Sequence, residues 1–359
     1  MLRPALCMEE KSTGRAALAP WADFFFLRLA MREVALSSIL SRRAFGAAAV
    51  ALIAAPRVVR AAAPGEIHID WATYNPVSIV LKEQGLLEQE FVGDKIGVRW
   101  VQSLGSNKAL EFLNAGSIDF GSSAGAAALI GKINGNPIKS IYVYSRPEWT
   151  ALVTMKDSPI RTVVDLKGQR IAVTRGTDPH IFLVRALAGA GLSEHDVKLV
   201  LLQHPDGRTA LERGDVAAWA GLDPMMAAAE IESGARLFYR NAAANTWGVL
   251  NVREAFAAEN PDIVRRVLAA YERARRWSVE HPAELKALMV AAMKLPDAVV
   301  ARQLERNDLT RGAIGEKQAE TIIEAGKALQ QAGVLPTDVD VTAVTGKLID
   351  PTFARAAGA

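Results

Sequence analysis

Cysteine is almost absent from this chain. Its 359 residues include one cysteine, Cys7, so no intrachain disulfide can form. The zinc-protease pattern His-Glu-x-x-His and the Walker loop of nucleotide-binding proteins are both missing. No apolar run reaches the roughly 20 residues that a membrane-spanning helix needs. These absences count against catalysis, a bound metal and a cofactor, and we expect none of the three.

An excess of positive charge is found only in the N-terminal segment. Residues 1–63 hold nine of the 42 Lys and Arg residues and four of the 39 Asp and Glu residues. The remaining residues therefore carry 33 basic and 35 acidic groups, a net charge of −2 against +3 for the whole chain. This balance gives no reason to expect a nucleic acid or an anionic membrane surface as partner.

The N-terminal segment has the pattern of a twin-arginine export signal. Ser41–Gly46 contains two adjacent arginines, Ala44–Pro56 is an uncharged Ala-rich run, and Ala61–Ala63 provides small residues for cleavage. We therefore interpret residues 1–63 as a leader, with Met31 as a plausible true start. The exported product is then periplasmic and soluble. It contains no cysteine, which excludes a thiol nucleophile, a thiolate-bound metal and a lipid anchor.

Strands and helices alternate along the rest of the chain. Apolar patterns predict strands near residues 67–71, 98–101, 118–120, 138–144, 149–155, 170–174, 197–202, 217–220, 237–239 and 247–252. Helix-compatible segments lie between them, including 76–90, a helix capped by Ser106, one opened by residues 121–128 and one over 181–190. Residues 260–332 are almost entirely helical in pattern. The sequence therefore predicts an α/β protein of two lobes, joined by a hinge of crossing strands rather than a flexible linker.

Five stretches of this chain occur in the same order in one family of transport proteins. They are Ala72–Pro76, Lys82–Glu88, Leu113–Gly121, Asp165–Val173 and Gly221–Pro224. As an ordered set they resemble the aliphatic sulfonate, taurine and nitrate group of periplasmic solute-binding proteins that serve ABC importers. The resemblance runs from about residue 66 to about residue 349.

The resemblance implies a two-lobed periplasmic-binding-protein fold of type II, in which the lobes close around the solute. It implies that lobe 1 consists of residues 64–146 and 249–359, and lobe 2 of residues 147–248. The expected partners are a small organic anion, in the first place an alkanesulfonate, and an ABC permease in the inner membrane. We expect the receptor to be a monomer.

Turns between strands and helices supply the first candidate binding residues. Thr73, Tyr74 and Asn75 end the first strand, where ligands of open α/β sheets collect. Residues 177–180 open a helix, so backbone N–H groups and the helix dipole would face an anion there. The alternative is that Thr177 or Asp178 only caps this helix. Ser122 and Ser123 lie at a second such turn, where small residues would alternatively serve close helix packing.

Aromatic and charged side chains complete the candidate set, which also contains Arg146, Trp149, Arg175, His180, Trp219, Asp223 and Trp247. Aromatic walls would hold the carbon portion of an organosulfonate. Core packing for the tryptophans and surface ion pairs for the arginines remain open alternatives. We expect neutral donors from Ser122, Ser123 and Thr177 and from the N–H groups of their helices to bind the charged end, because a dry arginine–sulfonate pair would break slowly.

Two departures from the family pattern leave the solute open. The first strand ends in Trp71–Tyr74 where sulfonate-binding relatives carry a Gly-Tyr-Gln-Lys type sequence, and residues 175–177 replace a Lys-Gly-Ser type loop. Another small oxyanion or a vitamin-precursor heterocycle is therefore an alternative cargo. A signalling receptor and an enzyme resembling the sulfinate desulfinases, which depend on a cysteine, are alternative functions.

Overall fold

The computed structural model describes residues 64–356 and 358. The twin-arginine motif, Met31 and the expected cleavage region lie outside the described residues. Within that part of the chain, the strands are β1 (Glu66–Trp71), β2 (Gly97–Gln102), β3 (Phe120–Ala124), β4 (Ile138–Pro147), β5 (Thr150–Thr154), β6 (Arg170–Val173), β7 (Lys198–Leu201), β8 (Ala218–Leu222), β9 (Arg236–Tyr239), β10 (Gly248–Arg253) and β11 (Asn307–Asp308).

The α-helices lie between these strands and dominate the C-terminal third. They are α1 (Pro76–Glu83), α2 (Leu86–Phe91), α3 (Ser106–Asn114), α4 (Gly125–Ile133), α5 (Asp178–Gly189), α6 (His204–Glu212), α7 (Met225–Ser233), α8 (Glu254–Glu259), α9 (Pro261–Glu280), α10 (Pro282–Met293), α11 (Asp297–Glu305), α12 (Glu316–Gln331), α13 (Val341–Leu348) and α14 (Thr352–Ala356). Every strand expected from the sequence is present, although some bounds differ.

The strands form two mixed sheets with related topology. The first sheet has the order β11-β4-β10-β3-β1-β2, and the second has the order β7-β6-β8-β5-β9. In the first sheet, β10 runs antiparallel between β3 and β4, while β1 pairs parallel with β2 and β3. In the second sheet, β5 runs antiparallel between β8 and β9, while β6 pairs parallel with β7 and β8. The antiparallel strand of each sheet is thus the one that the chain enters from the other sheet: β5 follows β4, and β10 follows β9.

The chain crosses between the sheets twice. It leaves β4 through Glu148 and Trp149 to enter β5, and it returns through residues 240–247 from β9 to β10. Two crossing segments close together form the hinge that the sequence predicts. The lobe boundaries at 146/147 and 248/249 stay a prediction.

Three local expectations were wrong in detail, each for a steric or hydrogen-bonding reason. The helix expected over 76–90 is broken at Gly85, whose φ of +61° favours glycine. Ser106 is the first residue of α3 rather than its cap, and its Oγ accepts a hydrogen bond from the Ala124 N–H. Residues 121–124 belong to β3, not to a helix. Small residues suit this buried strand, because a Cβ on Gly121 would come within 2.9 Å of Leu113.

Gly248 lies at the point where the return crossing enters β10, and it packs against Tyr144. A Cβ at this position would come within 2.6 Å of the ring Cζ and 2.8 Å of the Ser145 Oγ, and both of these residues are fully buried. We predict that Gly248→Ala lowers the free energy of unfolding by about 1–3 kcal/mol through overpacking. Gly346→Ala is the matched control: this exposed helical glycine has open space around it, so stability should rise by about 0.5–1 kcal/mol. Urea denaturation measures both, and equal effects would contradict the packing argument.

Candidate solute site at the junction of the two sheets

The candidate residues converge where the two crossings meet the carboxyl ends of the parallel strands. Residues 73–75 follow β1, Ser122 and Ser123 lie in β3, and the loop 174–177 follows β6. In open α/β sheets this edge is where ligands bind. The structure therefore brings most of the sequence-predicted residues to one region, and it gives several of them roles that the sequence did not indicate.

A buried carboxylate, Asp70, organises the half of the site that the first sheet supplies. Its Oδ1 accepts hydrogen bonds from the Ser122 N–H and Oγ, both at 2.9 Å, and its Oδ2 accepts one from the Ser103 Oγ at 2.6 Å. The Asn75 side chain caps α1 by accepting from the Ser78 N–H and donates to the Ser122 Oγ at 2.8 Å. These hydrogen bonds with Asp70 and α1 therefore fix the positions of Ser122 and Asn75.

Burial changes the protonation behaviour of this network. Removal from water raises the pKa of Asp70 to about 6, although the hydrogen bonds from Ser103 and Ser122 oppose the shift. Burial also raises the pKa of Tyr74, whose hydroxyl donates to the Ser122 carbonyl at 3.0 Å and lies 3.1 Å from the Ser103 Oγ. Asp70 is thus the group of this network that titrates near neutral pH.

Aromatic rings line the junction. The Tyr74 and Trp149 rings meet edge to face with centroids 5.9 Å apart, and the centroid of the Tyr144 ring lies 6.2 Å from that of Trp149. The guanidinium of Arg146, which is exposed, lies over the Trp247 ring at 5.4 Å from the centroid. Edge-to-face contacts of this kind stabilise buried aromatic clusters. Trp149 and Trp247 therefore lie near the predicted site, and Arg146 reaches it only from the surface.

Asp178 joins both crossing segments to the first turn of α5. Its Oδ2 accepts from the Trp149 Nε1 at 2.8 Å and from the Thr246 N–H at 3.1 Å, while its Oδ1 accepts from the Thr246 Oγ1 at 2.7 Å. The return crossing also contacts the start of α4, because the Gly125 N–H donates to the Trp247 carbonyl at 2.9 Å. The side chain of Asp178 is therefore fully used in binding the hinge.

The loop after β6 presents backbone donors. In the described residues, no acceptor contacts the backbone N–H of Gly176, Thr177 or Asp178, which lie at the N-terminal end of α5. Such donors at the positive end of a helix dipole attract anions.

A cavity of about 360 Å³ adjoins the loop and extends from Asn107 of α3, across Thr174 and Arg175, to Gln203 at the start of α6. It is bordered by both lobes.

Three side chains around this cavity have unused acceptors. The Asn107 Oδ1, the Gln203 Oε1 and the His204 Nε2 are buried without a hydrogen-bond partner. Because the Thr174 Oγ1 donates to the Leu202 carbonyl, its contact with the His204 Nδ1 at 3.2 Å requires the proton on that ring nitrogen. His204 is fully buried, which lowers its pKa to about 3. Its ring is therefore neutral, and its Nε2 is an acceptor.

The hydroxyl groups expected to donate to the anion have their protons engaged elsewhere. Ser122 donates to Asp70, Ser123 donates to the Ala124 carbonyl at 3.1 Å, and Thr177 donates to the Thr174 carbonyl at 2.6 Å. A hydroxyl has a single proton. In this conformation none of the three side chains is a free donor, and of the donors expected from the sequence only backbone N–H groups have no partner among the described residues. Thr177 is the N-cap residue of α5, but its side chain makes no capping hydrogen bond.

The remaining candidates have structural partners. His180 is buried and its Nε2 lies 2.9 Å from the Glu194 Oε1, while the exposed Arg175 lies 3.8 Å from the same carboxylate. The Thr73 carbonyl accepts from the Gln303 Nε2 at 2.6 Å. Trp219 is fully buried in the core of the second sheet, beside Gly207, where a Cβ would come within 2.7 Å of its Nε1. The structure therefore does not bring Trp219 to the junction.

Asp223 binds an arginine rather than open space. The Arg306 Nη1 lies 3.2 and 3.3 Å from its two carboxylate oxygens, and the Arg306 Nη2 bonds Glu230 of α7. Burial raises the pKa of Asp223 to about 7, and the charge of Arg306 opposes that shift. This ion pair links α7 to the end of α11. Asp223 is thus an interlobe contact in this structure.

Sequence reasoning missed Asp70, Tyr144 and Thr246. Asp70 is one of the polar residues that alternate with Ile67, Ile69 and Trp71, a pattern typical of a strand with one exposed face, but β1 lies between β2 and β3 and Asp70 is fully buried. A carboxylate near the carboxyl end of a central strand was the signal that would have identified it. Nothing local marks Thr246, whose role comes from Asp178, a residue 68 positions away in the chain.

A serine-hydrolase arrangement is present in sequence but not in geometry. Residues 121–125 read Gly-Ser-Ser-Ala-Gly, which has the spacing of a nucleophile elbow. The Ser123 Oγ is buried and accepts from the Asn251 Nδ2 at 2.8 Å, and no histidine of the described residues contacts it. A serine nucleophile needs such a base.

The described residues also contain no cluster of three potential metal ligands and no helix with the length and apolar character of a membrane span.

Fold and junction together define a two-lobed periplasmic binding protein of type II. A family model described as NMT1/THI5 like matches residues 91–285, more than half of the chain. The chain therefore belongs to the NMT1/THI5-like family.

Comparison with individual proteins gives the same class. The chain is 28% identical over 312 residues to an aliphatic sulfonates-binding protein of Escherichia coli (strain K12), covering 86% of this chain and 94% of that protein. The alkanesulfonate-binding protein SsuA from Xanthomonas axonopodis pv. citri, bound to MOPS, has a TM-score of 0.73 at 26% identity, covering 80% of this chain and 98% of that one. The periplasmic aliphatic sulphonate binding protein SsuA from Escherichia coli has a TM-score of 0.68 at 27% identity, covering 80% and 93%.

Loss of Arg306 should destabilise the contact between α7 and α11. Arg306→Met leaves the carboxylate of Asp223 buried without its cation, so we predict a loss of about 3–5 kcal/mol in the free energy of unfolding at pH 7.5. The loss should be smaller at pH 5.5, where Asp223 is protonated. Arg302→Met is the control, because this arginine is 43% exposed and 3.7 Å from Glu230, and about 0.5 kcal/mol or less is expected. Similar losses for both variants in denaturant titrations would contradict the assignment.

Proposed function

We propose that this protein is an extracytoplasmic solute receptor that delivers an aliphatic sulfonate to an ABC importer. The observation that carries the proposal is the group of free backbone N–H donors at residues 176–178, beside a cavity bordered by both lobes. The cavity volume of about 360 Å³ is within the usual range for small-molecule sites. The sulfonate-binding relatives support the choice of cargo. The receptor binds and releases its cargo without chemistry and acts as a monomer beside a permease.

The charged end of the solute binds the N–H groups of the loop, and the carbon portion packs against the junction rings and Leu201 and Leu202. Both arginines of the candidate set are exposed, and each already has a protein partner. Dipolar donors hold a monoanion without a buried ion pair that would slow release to the permease. This arrangement accounts for the absence of a free, buried cation at the junction among the described residues.

Binding and closure can be measured on the chain from Pro64 onwards. We predict that ethanesulfonate or MOPS raises the melting temperature and reduces the radius of gyration in small-angle scattering, because solute favours the closed lobes. Taurine, sulfate, nitrate and a pyrimidine are the comparison solutes. Arg175→Gln should change the Kd by less than about threefold, since exposed charges contribute little. The absence of any sulfonate response would overturn the proposal, and a large Arg175 effect would favour an arginine clamp instead.

Export is the part of the proposal that rests on the leader alone. The twin-arginine pathway requires the arginine pair, so we predict that changing Arg42 and Arg43 together to Lys retains the precursor in the cytoplasm. N-terminal sequencing of periplasmic material from the unaltered gene should find a start between Ala61 and Gly65. Cell fractionation provides the measurement. Undiminished export of the double variant would show that another signal directs the chain.

A further inference from the structure

The described part of the chain contains five buried carboxylates, and only two of them form no ion pair. Asp119 pairs with Arg253, Asp223 with Arg306, and Glu272 with Arg275. Asp70 and Asp178 form no ion pair with any Lys, Arg or His of the described residues. Both of these carboxylates lie at the candidate site: Asp70 in β1 of the first sheet and Asp178 in the first turn of α5. The candidate site therefore differs from the rest of the described interior, where each buried carboxylate is paired with an arginine.

Neutral dipoles hold the charge of Asp70 without cancelling it. Its hydrogen-bond donors are the Ser103 hydroxyl and the N–H and hydroxyl of Ser122. Burying an ionised carboxylate without a cation is costly. In the low-dielectric interior its field reaches past Ser122 to any solute bound at the carboxyl end of β3. A solute there meets a fixed negative charge.

The surroundings of Asp70 contain no other group that titrates in the neutral range. Tyr74 on the turn before α1, Tyr144 on β4 and Tyr271 on α9 face it, and burial raises the pKa of all three hydroxyls. Asp178, in the other lobe, adds a charge of the same sign, and its pKa is also raised by burial. The charge of Arg185 opposes the shift at Asp178 and offsets part of its field, whereas no cation acts on Asp70 among the described residues.

We propose that Asp70 is a specificity-determining residue whose uncancelled charge beneath Ser122 excludes dianions such as sulfate while admitting monoanionic sulfonates. The inference rests on the proposed function, because it concerns the same site. Sulfate and a sulfonate group have nearly the same size and the same kind of oxygen acceptors, so hydrogen bonding alone separates them poorly. Net charge does separate them. For scale, two like unit charges about 8 Å apart at an effective dielectric constant of about 20 repel by enough to weaken binding roughly thirtyfold.

Asp70→Asn is the direct test, because it removes the charge and keeps the shape. Calorimetry at pH 7.5 measures the Kd of ethanesulfonate, and competition against it measures the Kd of sulfate. We expect the ratio of the sulfate Kd to the ethanesulfonate Kd to fall at least tenfold in the variant. Asp119→Asn is the matched control, since this buried carboxylate is paired with Arg253 and lies at the start of β3, away from the site. Its ratio should equal that of the wild type.

A pH profile of the wild type provides a second readout that does not require the variant to fold. Asp70 gains a proton between pH 7.5 and 5.5, whereas sulfate stays a dianion, so sulfate should gain affinity relative to ethanesulfonate as the pH falls. An unchanged ratio in folded Asp70→Asn, an equal loss for both solutes, or a flat wild-type profile would each overturn the inference. If the wild type binds ethanesulfonate and these results are found, only the inference fails. If it binds no sulfonate, the proposed function fails with it.

Discussion

The carboxylate of Asp178 is the constraint on which the junction depends. It accepts hydrogen bonds from Trp149 on the outward crossing and from Thr246 on the return crossing, and it lies in the first turn of α5. The positive end of the helix dipole stabilises the carboxylate there, which partly offsets its burial. Both crossings are thus fixed to the loop that presents the free N–H groups. A hinge motion that moved the crossings would therefore move the loop donors as well.

A hydroxyl group can donate a hydrogen bond to an anion only if its single proton is not already donated to the protein. Ser122, Ser123 and Thr177 each donate to a protein oxygen, so their oxygens remain to the solute only as acceptors. A hydroxyl proton can rotate toward a different acceptor, whereas the direction of a backbone N–H is fixed by the peptide plane. A site built from backbone N–H groups is rigid and neutral. In the proposed receptor, such a site favours rapid release of the solute over the highest affinity.

The sequence predicts the fold well and the site only in outline. Strands such as β1 and β10 follow from apolar patterns and their bounding turns, and the ordered family motifs indicate the class. The pattern could not show that residues 121–124 continue a strand, because small residues suit both a helix start and a buried strand. Trp219 and Asp223 lay at plausible strand ends, yet one packs in the core and the other binds Arg306. These partners are distant in sequence, so no local pattern reveals them.

The distribution of arginines completes the physical description. Arginine neutralises buried carboxylates where lobes or helices must hold together, as between Asp223 and the end of α11. At the junction, where we propose that an anionic solute binds, an arginine would bind any oxyanion and any neighbouring carboxylate and so discriminate poorly. The chain instead keeps Arg146 and Arg175 at the surface and leaves Asp70 and Asp178 bonded only to neutral donors. The selection by charge that we propose therefore depends on the absence, in the described part of the chain, of a cation beside Asp70 as well as on the backbone N–H donors.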